Sequence, residues 1–215
     1  DWYNPIIGHY QASFRHPDRD RAHGRIWRVT AKGRALVKPA AFLAKGEKAP
    51  LPAIIAGLES GERFERDFAR RLLGEMDGKA VLPAVKAWAL GKATDEGIFE
   101  GLCVHEWHET ADFDLLTRAL NAKEPRLRAY ACGIFPRWSH QIPGMDGYQK
   151  PEKENAHPRM FGTMVGFLKA AEDKDPRVRL GAIVATTNAL PPVAVAMVLK
   201  AAELPTDPML DFARR

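Results

Sequence analysis

The chain has 215 residues, of which 46% are hydrophobic and 27% are charged, and its formal net charge is +5 with an isoelectric point of about 9.3. This composition excludes a disordered chain, because enough apolar side chains are present to bury a core. The positive charge is spread out without a dense lysine or arginine run, so we expect no nucleic-acid binding. The longest apolar region is interrupted by Asn188 and Pro191-Pro192, so we expect no membrane span.

Residues 1–35 differ in character from the rest of the chain. The run Arg25-Ile26-Trp27-Arg28-Val29-Thr30 alternates and is rich in β-forming residues, which predicts a strand. A single strand needs partners, so we expect the remnant of a larger sheet, and a chain that is a segment of a longer protein. No signal peptide opens the sequence, so export would be encoded outside these residues. Residues 36–50 are interpreted as a linker.

Possible ligands or acid–base groups are densest near the N-terminus, at His9, His16, Asp18, Asp20 and His23. Oxygen-rich loops can hold calcium, but this one lacks the regular alternation and the glycine of an EF-hand loop. A polar loop in which arginine and aspartate side chains pair and cap one another is the favoured interpretation over a ligand or catalytic site.

From Leu51 onward the pattern predicts helices in pairs. Asp175-Pro176 and Asp207-Pro208 are typical helix starts, because the aspartate caps free N–H groups and proline fits the first helical position. The predicted pairs are 51–59 with 62–75, 79–90 with 95–108, 112–121 with 125–138, 158–171 with 176–189, and 192–203 with a helix starting at 208.

These helix openings recur at a roughly constant step. Similar starts at Glu62, Glu96, Pro125, Pro176 and Pro208 are separated by 34, 29, 51 and 32 residues. Such periods are typical of helical repeats, so the predicted fold is all-α, a HEAT/armadillo-like solenoid of about five helix pairs. The long step requires an insertion, which we place at 141–157, where the sequence is polar and rich in glycine and proline.

Each opening is followed by an apolar stripe at helical spacing that we expect to be buried. The stripes are Phe64, Phe68 and Leu72; Ile98, Leu102 and His105; Leu127, Ala131, Ile134 and Trp138; and Val178, Ala182, Ala185 and Ala189. Trp88, Trp107 and Trp138 are likewise interpreted as core residues rather than as a ligand platform.

Charged residues near the helix starts predict a ladder of ion pairs, to which we assign a structural and not a catalytic role. Asp175 with Arg179, and Glu124 with Arg128, are acid-to-base pairs at i, i+4. In HEAT arrays such groups can also bridge to the next repeat and fix the stacking.

The two cysteines occupy equivalent positions in successive repeats. Cys103 lies seven residues after Glu96, and Cys132 lies seven residues after Pro125. Stacked helices lie about 8–10 Å apart, whereas a disulfide needs Cα atoms within ~7 Å. We therefore predict two free, buried thiols.

The run His105-Glu106-Trp107-His108 resembles a zinc-protease motif but does not match its spacing. A zinc-protease helix needs two histidines four residues apart, and here the spacing is three without an obvious third ligand. A packed, hydrogen-bonded His105 is the favoured interpretation.

Several motifs resemble a known family. These are Asp1-Trp2-Tyr3-Asn4-Pro5-Ile6-Ile7-Gly8-His9-Tyr10-Gln11, His16-Pro17-Asp18-Arg19-Asp20 and His23-Gly24-Arg25-Ile26-Trp27-Arg28-Val29, and later Val104-His105-Glu106-Trp107-His108, Pro176-Arg177-Val178-Arg179-Leu180 and Pro205-Thr206-Asp207-Pro208. They closely resemble large secreted planctomycete proteins named as membrane-bound dehydrogenases. In that family a propeller similar to glucose/sorbosone dehydrogenases is followed by HEAT repeats and a c-type cytochrome domain. The likeness covers nearly the whole chain except the 141–157 insertion.

The resemblance implies that residues 1–35 are the terminal strand and loops of a β-propeller, that 51–215 are HEAT-like repeats, and that the parent protein is periplasmic or secreted. It implies a parent with a quinone or a c-type haem, whereas no cofactor is expected here, because Cys-x-x-Cys-His is absent. The expected partners are other domains of the parent, or another protein on the concave face.

Three functions remain open at this point. The first is a scaffold that positions the propeller and an electron-accepting domain. The second is enzymatic: residues 1–35 complete an active site for sugar or alcohol oxidation, with His9 as the candidate catalytic residue. The third is a stand-alone protein-binding HEAT module. Fold resemblance alone does not establish an activity.

Overall fold

The structure is a computed structural model that describes residues 38–138, 158–189 and 191–213, together with several isolated positions between 16 and 35. The chain divides into two compact units, 1–38 and 39–215. The predicted insertion at 141–157, His9 and His23 lie outside the described residues, and so does half of the predicted strand at 25–30.

The described positions of the first unit make short local hydrogen bonds. The Asp18 N–H donates to Nδ1 of His16 over 3.2 Å, and the Ala22 N–H donates to Oδ1 of Asp20 over 3.0 Å. These three members of the predicted N-terminal cluster therefore form turn contacts, as expected of a polar loop. The described positions in this unit contain no strand.

The second unit is helical throughout its described length, and an all-α fold is confirmed there. Two short 3-10 turns occur at Gly46–Lys48 and Thr186–Asn188. The α-helices are α1 (Ala41–Lys45), α2 (Leu51–Gly57), α3 (Arg63–Glu75), α4 (Gly78–Lys92), α5 (Asp95–Trp107), α6 (Phe113–Leu120), α7 (Pro125–Trp138), α8 (Pro158–Ala170), α9 (Pro176–Ala185), α10 (Pro191–Ala202) and α11 (Pro208–Ala213).

The helix starts follow from capping residues in the sequence. Asp77, Thr94, Asp112 and Asp175 each accept a hydrogen bond from a backbone N–H of the first turn, which satisfies one otherwise unpaired donor. The predicted helices from 51 onward are therefore observed within a few residues of their expected bounds.

The segment interpreted as a linker, 36–50, contains α1 and the first 3-10 turn. Phe42 of α1 is buried with only 4% of its surface exposed. The Glu65 carboxylate accepts hydrogen bonds from the Ala40 N–H over 2.8 Å and from Ser60 Oγ over 2.6 Å. Residues 40–48 are thus held against α3 rather than extended.

Helix packing alternates along the chain. Most helices from α2 to α9 pack against the next one, although α3 does not pack comparably against α4. The even-numbered pairs in contact are α2–α4, α4–α6 and α6–α8, and the odd-numbered pairs are α3–α5, α5–α7, α7–α9 and α9–α11. The helices α2, α4, α6 and α8 thus form an even-numbered row, and α3, α5, α7, α9 and α11 form an odd-numbered row.

Apolar side chains between the two rows form the core. One cluster lies under α1 to α5, and a larger one extends from α4 to α10, where the Phe135 and Phe167 rings stack with centroids 4.5 Å apart. Three predicted stripes are buried as expected, except that Ala189 is only half-buried. The buried members are Ile98, Leu102, His105, Leu127, Ala131, Ile134, Trp138, Val178, Ala182 and Ala185.

The prediction that Phe64 and Trp107 lie in the core is wrong. Phe64 is 70% exposed, because α3 buries the face that contains Ala69, Leu72 and Leu73, and Phe64 lies to one side of it. Trp107 is 55% exposed; it is the last residue of α5, and its ring lies against Gly74 of α3.

Close helix contact at Gly101 gives a test of the packing. A Cβ atom at Gly101 would lie 2.9 Å from the Ala89 Cβ of α4, whereas at Gly133 of α7 the nearest atom would lie 3.8 Å away. We expect Gly101→Ala to lower the free energy of unfolding by about 1–3 kcal/mol through overpacking. Gly133→Ala should raise it by up to ~1 kcal/mol through helix propensity. Urea unfolding followed by circular dichroism measures both, and equal stabilisation by the two variants would contradict the contact.

Candidate functional site

Polar side chains link successive odd-numbered helices, and we call these links the odd-helix ladder. It consists of Arg70–Glu100 between α3 and α5, Glu106–Arg137 with Tyr130 between α5 and α7, and Arg128–Asp173 between α7 and the loop before α9. No other described set of side chains joins so many helices through charged groups.

The first link is a two-pronged ion pair. Arg70 donates from Nε to Glu100 over 2.6 Å and from NH2 to the second carboxylate oxygen over 3.1 Å. Glu100 is buried, and its hydrogen bonds raise the pKa of Arg70. The Arg70 guanidinium also lies 5.8 Å from the centroid of the Phe99 ring, within the range of a cation–π contact.

The second link centres on Glu106, which accepts from two residues of α7. Arg137 donates from Nε to this carboxylate over 2.7 Å, and the Tyr130 hydroxyl donates to its other oxygen. Burial raises the pKa of Tyr130, so the phenol stays protonated at neutral pH. Cys103 Sγ lies 3.5 Å from the Tyr130 hydroxyl oxygen.

The third link is the most completely bonded one. Arg128 donates from Nε and NH2 to the two Asp173 oxygens over 2.6 and 2.9 Å, and from NH1 to the carbonyls of Ala122 and Lys123 over 2.9 and 3.0 Å. Asp173 holds the pKa of Arg128 above its usual value. This arginine therefore fixes the loop before its own helix and the loop before α9.

The same arginine position recurs along the odd-numbered row. Arg66, Arg128 and Arg179 each donate from NH1 to the carbonyl of the residue six positions earlier. Each lies four residues after an acidic residue, at Glu62, Glu124 and Asp175. Glu62 and Arg66 have the same spacing as the two pairs predicted from the sequence, so this spacing could have identified Arg66 as the third arginine of the set.

The predicted i, i+4 pairs do not form, which corrects part of the expected ladder. Asp175 pairs with Arg177 over 2.8 Å, and Glu124 pairs with Arg126, also over 2.8 Å. The physical reason is that Asp175 is the N-cap of α9, with extended backbone angles, and Glu124 directly precedes α7. The i, i+4 rule requires both residues inside the helix. Arg179 instead donates to the carbonyls of Asp173, Lys174 and Pro205.

His105 is packed in the core, as expected. It is 3% exposed, and its Nδ1 lies 3.2 Å from the Thr110 carbonyl oxygen. Burial lowers the pKa of His105, and the nearby Asp112 carboxylate partly opposes that shift. His108 points elsewhere, with Nε2 2.9 Å from the Leu73 carbonyl oxygen.

The described residues do not place either histidine of that run in a metal-binding group. Among the residues that the structure describes, no group of three or more His, Cys, Asp or Glu side chains is placed to hold a metal ion. Glu106, between the two histidines, is engaged by Tyr130 and Arg137.

The two cysteines are unpaired thiols, of which Cys132 is buried and Cys103 is half-buried. Burial raises the pKa of the Cys103 thiol to about 11 and that of Cys132 to about 12. A nucleophilic cysteine needs the opposite shift, because the thiolate is the reactive form. Neither thiol is therefore prepared for covalent catalysis at neutral pH.

This arrangement holds helices together. Its charged groups are paired across helices, its thiols and its tyrosine hydroxyl are protonated, and its histidine is in the core. Tyr130, Glu106 and Arg70 were missed from the sequence, because partners 24 to 31 residues apart follow from helix stacking and not from local spacing.

No protein-family model, curated protein or solved structure matches the chain. Of the helices that the structure describes, none is long and apolar enough to cross a membrane. Any inference about function therefore rests on the residues and contacts described above.

The Arg128–Asp173 link gives a stability prediction. Arg128→Ala removes both prongs of a largely buried ion pair and leaves the Asp173 carboxylate with only the Asp175 N–H as a hydrogen-bond donor, so we expect it to lower the free energy of unfolding by about 2–3 kcal/mol. Arg126→Ala, at a neighbouring exposed arginine, should change it by less than about 0.5 kcal/mol. Urea unfolding of both variants measures the difference, and a double-mutant cycle with Asp173→Ala isolates the pair. A coupling energy near zero would count against this link.

Burial of His105 leads us to expect that the stability of the fold depends on pH. Because its pKa is lowered in the folded protein, the unfolded chain takes up a proton near its ordinary pKa of about 6.5 while the folded chain does not. Stability should therefore fall as the pH is lowered from about 6.5 toward the folded-state pKa. Thermal unfolding between pH 7.5 and 5 should show this slope in the wild type and in His108→Gln, and a smaller slope in His105→Gln. An unchanged slope in His105→Gln would contradict the assignment.

Proposed function

We propose that residues 51–213 form a HEAT-like helical-repeat solenoid that acts as a structural and interaction scaffold. The observation that carries this proposal is the repeated arginine at Arg66, Arg128 and Arg179, which serves the same loop-fixing role at three odd-numbered helices. Repeated contacts of this kind are what an array of similar units requires, because each unit contacts only its neighbours.

The two rows of helices support the same proposal. Contacts between α3 and α5, α5 and α7, and α7 and α9 place equivalent helices side by side, and the odd-helix ladder joins each of these pairs. Such an array presents an extended surface on which other protein parts can bind. The paired charges of the odd-helix ladder and the protonated thiols beneath it favour binding over catalysis.

We further propose that this scaffold is a segment of a larger secreted, dehydrogenase-like protein and positions its propeller and electron-acceptor domains. The resemblance of 1–11, 16–20, 23–29, 104–108, 176–180 and 205–208 to the planctomycete family supports this proposal. In such a parent the quinone or c-type haem would be carried elsewhere. The competing proposals are that residues 1–35 complete a sugar or alcohol dehydrogenase site around His9, and that the chain is a stand-alone protein-binding module.

The test is carried out on the native polypeptide that contains this sequence. We expect an intact mass well above 23.9 kDa, a c-type haem absorbance, and turnover of sugars with an artificial electron acceptor. A mass close to 23.9 kDa with neither haem nor turnover would contradict the larger oxidoreductase and leave a binding module.

A matched pair of variants in the same native protein distinguishes a catalytic role of residues 1–35 from a scaffold role. If residues 1–35 only support the scaffold, His9→Ala and His16→Ala should both retain turnover. Loss of turnover in His9→Ala alone, with an unchanged melting temperature, would instead place His9 in the active site.

A further inference from the structure

A buried titratable side chain lies under the loop that joins α5 to α6. The ring of His105 is 3% exposed, and its Nδ1 lies 3.2 Å from the Thr110 carbonyl oxygen. Because a carbonyl oxygen only accepts hydrogen bonds, Nδ1 carries the hydrogen and is the donor. Glu109 and Thr110 are exposed, so the segment that covers Nδ1 itself faces the solvent. We call residues 108–112 the α5–α6 corner.

The α5–α6 corner is closed by local hydrogen bonds and contains a strained residue. The Thr110 N–H donates to the His105 carbonyl over 3.0 Å, and Thr110 Oγ1 donates to the His108 carbonyl, also over 3.0 Å. Glu109 has φ 48°, in the left-handed region that residues other than glycine adopt at a cost. Relief of that strain lowers the free energy needed to open the corner, and such local opening exposes less apolar surface than unfolding of the helices.

Burial and two nearby charges act on the His105 ring. Burial disfavours the imidazolium and lowers the pKa of His105, the Asp112 carboxylate partly opposes that shift, and the Lys86 ammonium of α4 adds to it. Asp112 and Lys86 are themselves an ion pair over 2.6 Å, and Lys86 also pairs with Asp114 of α6 over 2.7 Å, so their effects on the ring partly cancel. The arginines of α3 and α7 that reach α5 are paired with its carboxylates, as Arg70–Glu100 and Arg137–Glu106.

We propose that proton uptake by His105 opens the α5–α6 corner, which makes this corner a pH-sensitive switch within the helical array. A second proton on the closed ring would place a positive charge where water does not reach. Opening of the segment at Thr110 lets water hydrate the imidazolium, so the open form binds the proton more tightly. The open population therefore rises as the pH falls below about 6.5, the ordinary pKa of histidine.

The test is hydrogen exchange followed by mass spectrometry on the full 215-residue chain at pH 7.5 and 5.5, corrected for the intrinsic pH dependence of exchange. When one proton is bound by the open form, the opening equilibrium rises by about 10-fold between these pH values. Protection of the hydrogen-bonded amides at 108–115 should fall by that factor, whereas protection within α7 and α9 should change little.

His105→Gln is the test variant, because a glutamine amide can donate to the Thr110 carbonyl but does not titrate. It should abolish the 10-fold change. His108→Gln is the matched control and should retain the change: His108 is half-buried at the same corner, and its Nε2 lies 2.9 Å from the Leu73 carbonyl oxygen, a bond that an imidazolium also makes.

Unchanged protection at 108–115 between the two pH values would overturn the proposal. An equal loss of protection in α7 and α9 would overturn it as well, because the proton would then be coupled to unfolding of the whole unit. A 10-fold change that persists in His105→Gln, or that disappears in His108→Gln, would show that the proton binds elsewhere. If His105→Gln does not fold, the wild-type comparison of 108–115 with α7 and α9 still decides. The scaffold proposed above does not require this switch and is tested separately.

Discussion

The Arg128–Asp173 ion pair is the interaction on which the stacking of the helices most depends. Small residues let α7 and α9 approach closely, and Gly181 lies against the α7 backbone. A smooth apolar contact of this kind leaves the relative position of two helices weakly defined. A buried arginine with four directed hydrogen bonds defines it sharply, because its fork matches the carboxylate in only one position.

Directed bonds across helices also explain why the polar residues of the odd-helix ladder have a structural role. Arg70 and Glu106 each bond to a partner on another helix, and Arg128 bonds to Asp173 in the loop before α9. Burial keeps the neighbouring thiol and phenol protonated. A catalytic group needs a shifted charge that faces a substrate. Here the charges face one another, and their free energy contributes to holding the array together.

The helices could be predicted from the sequence because their signals are local. Asp175 followed by Pro176, for example, determines where α9 begins, and the cap is formed as expected. The ion pairs could not be predicted, because Glu100 and Asp173 meet arginines 30 and 45 residues away only after the helices stack. Phe64 and Trp107 were misplaced for a related reason: periodicity identifies an apolar stripe but does not determine how much of it a neighbour covers.

If the array binds other proteins as proposed, the exposed apolar residues are the groups left to make those contacts, because the polar groups are engaged internally. In the described part of the second unit, Phe64, Trp107 and Phe212 are prominent among them, and aromatic side chains are the groups that most often dominate the energy of an interface. Phe64 and Trp107 lie on α3 and α5, which pack against each other, whereas Phe212 lies on α11, which packs against α9. The packing that engages the charged groups thus also determines which aromatic side chains stay exposed.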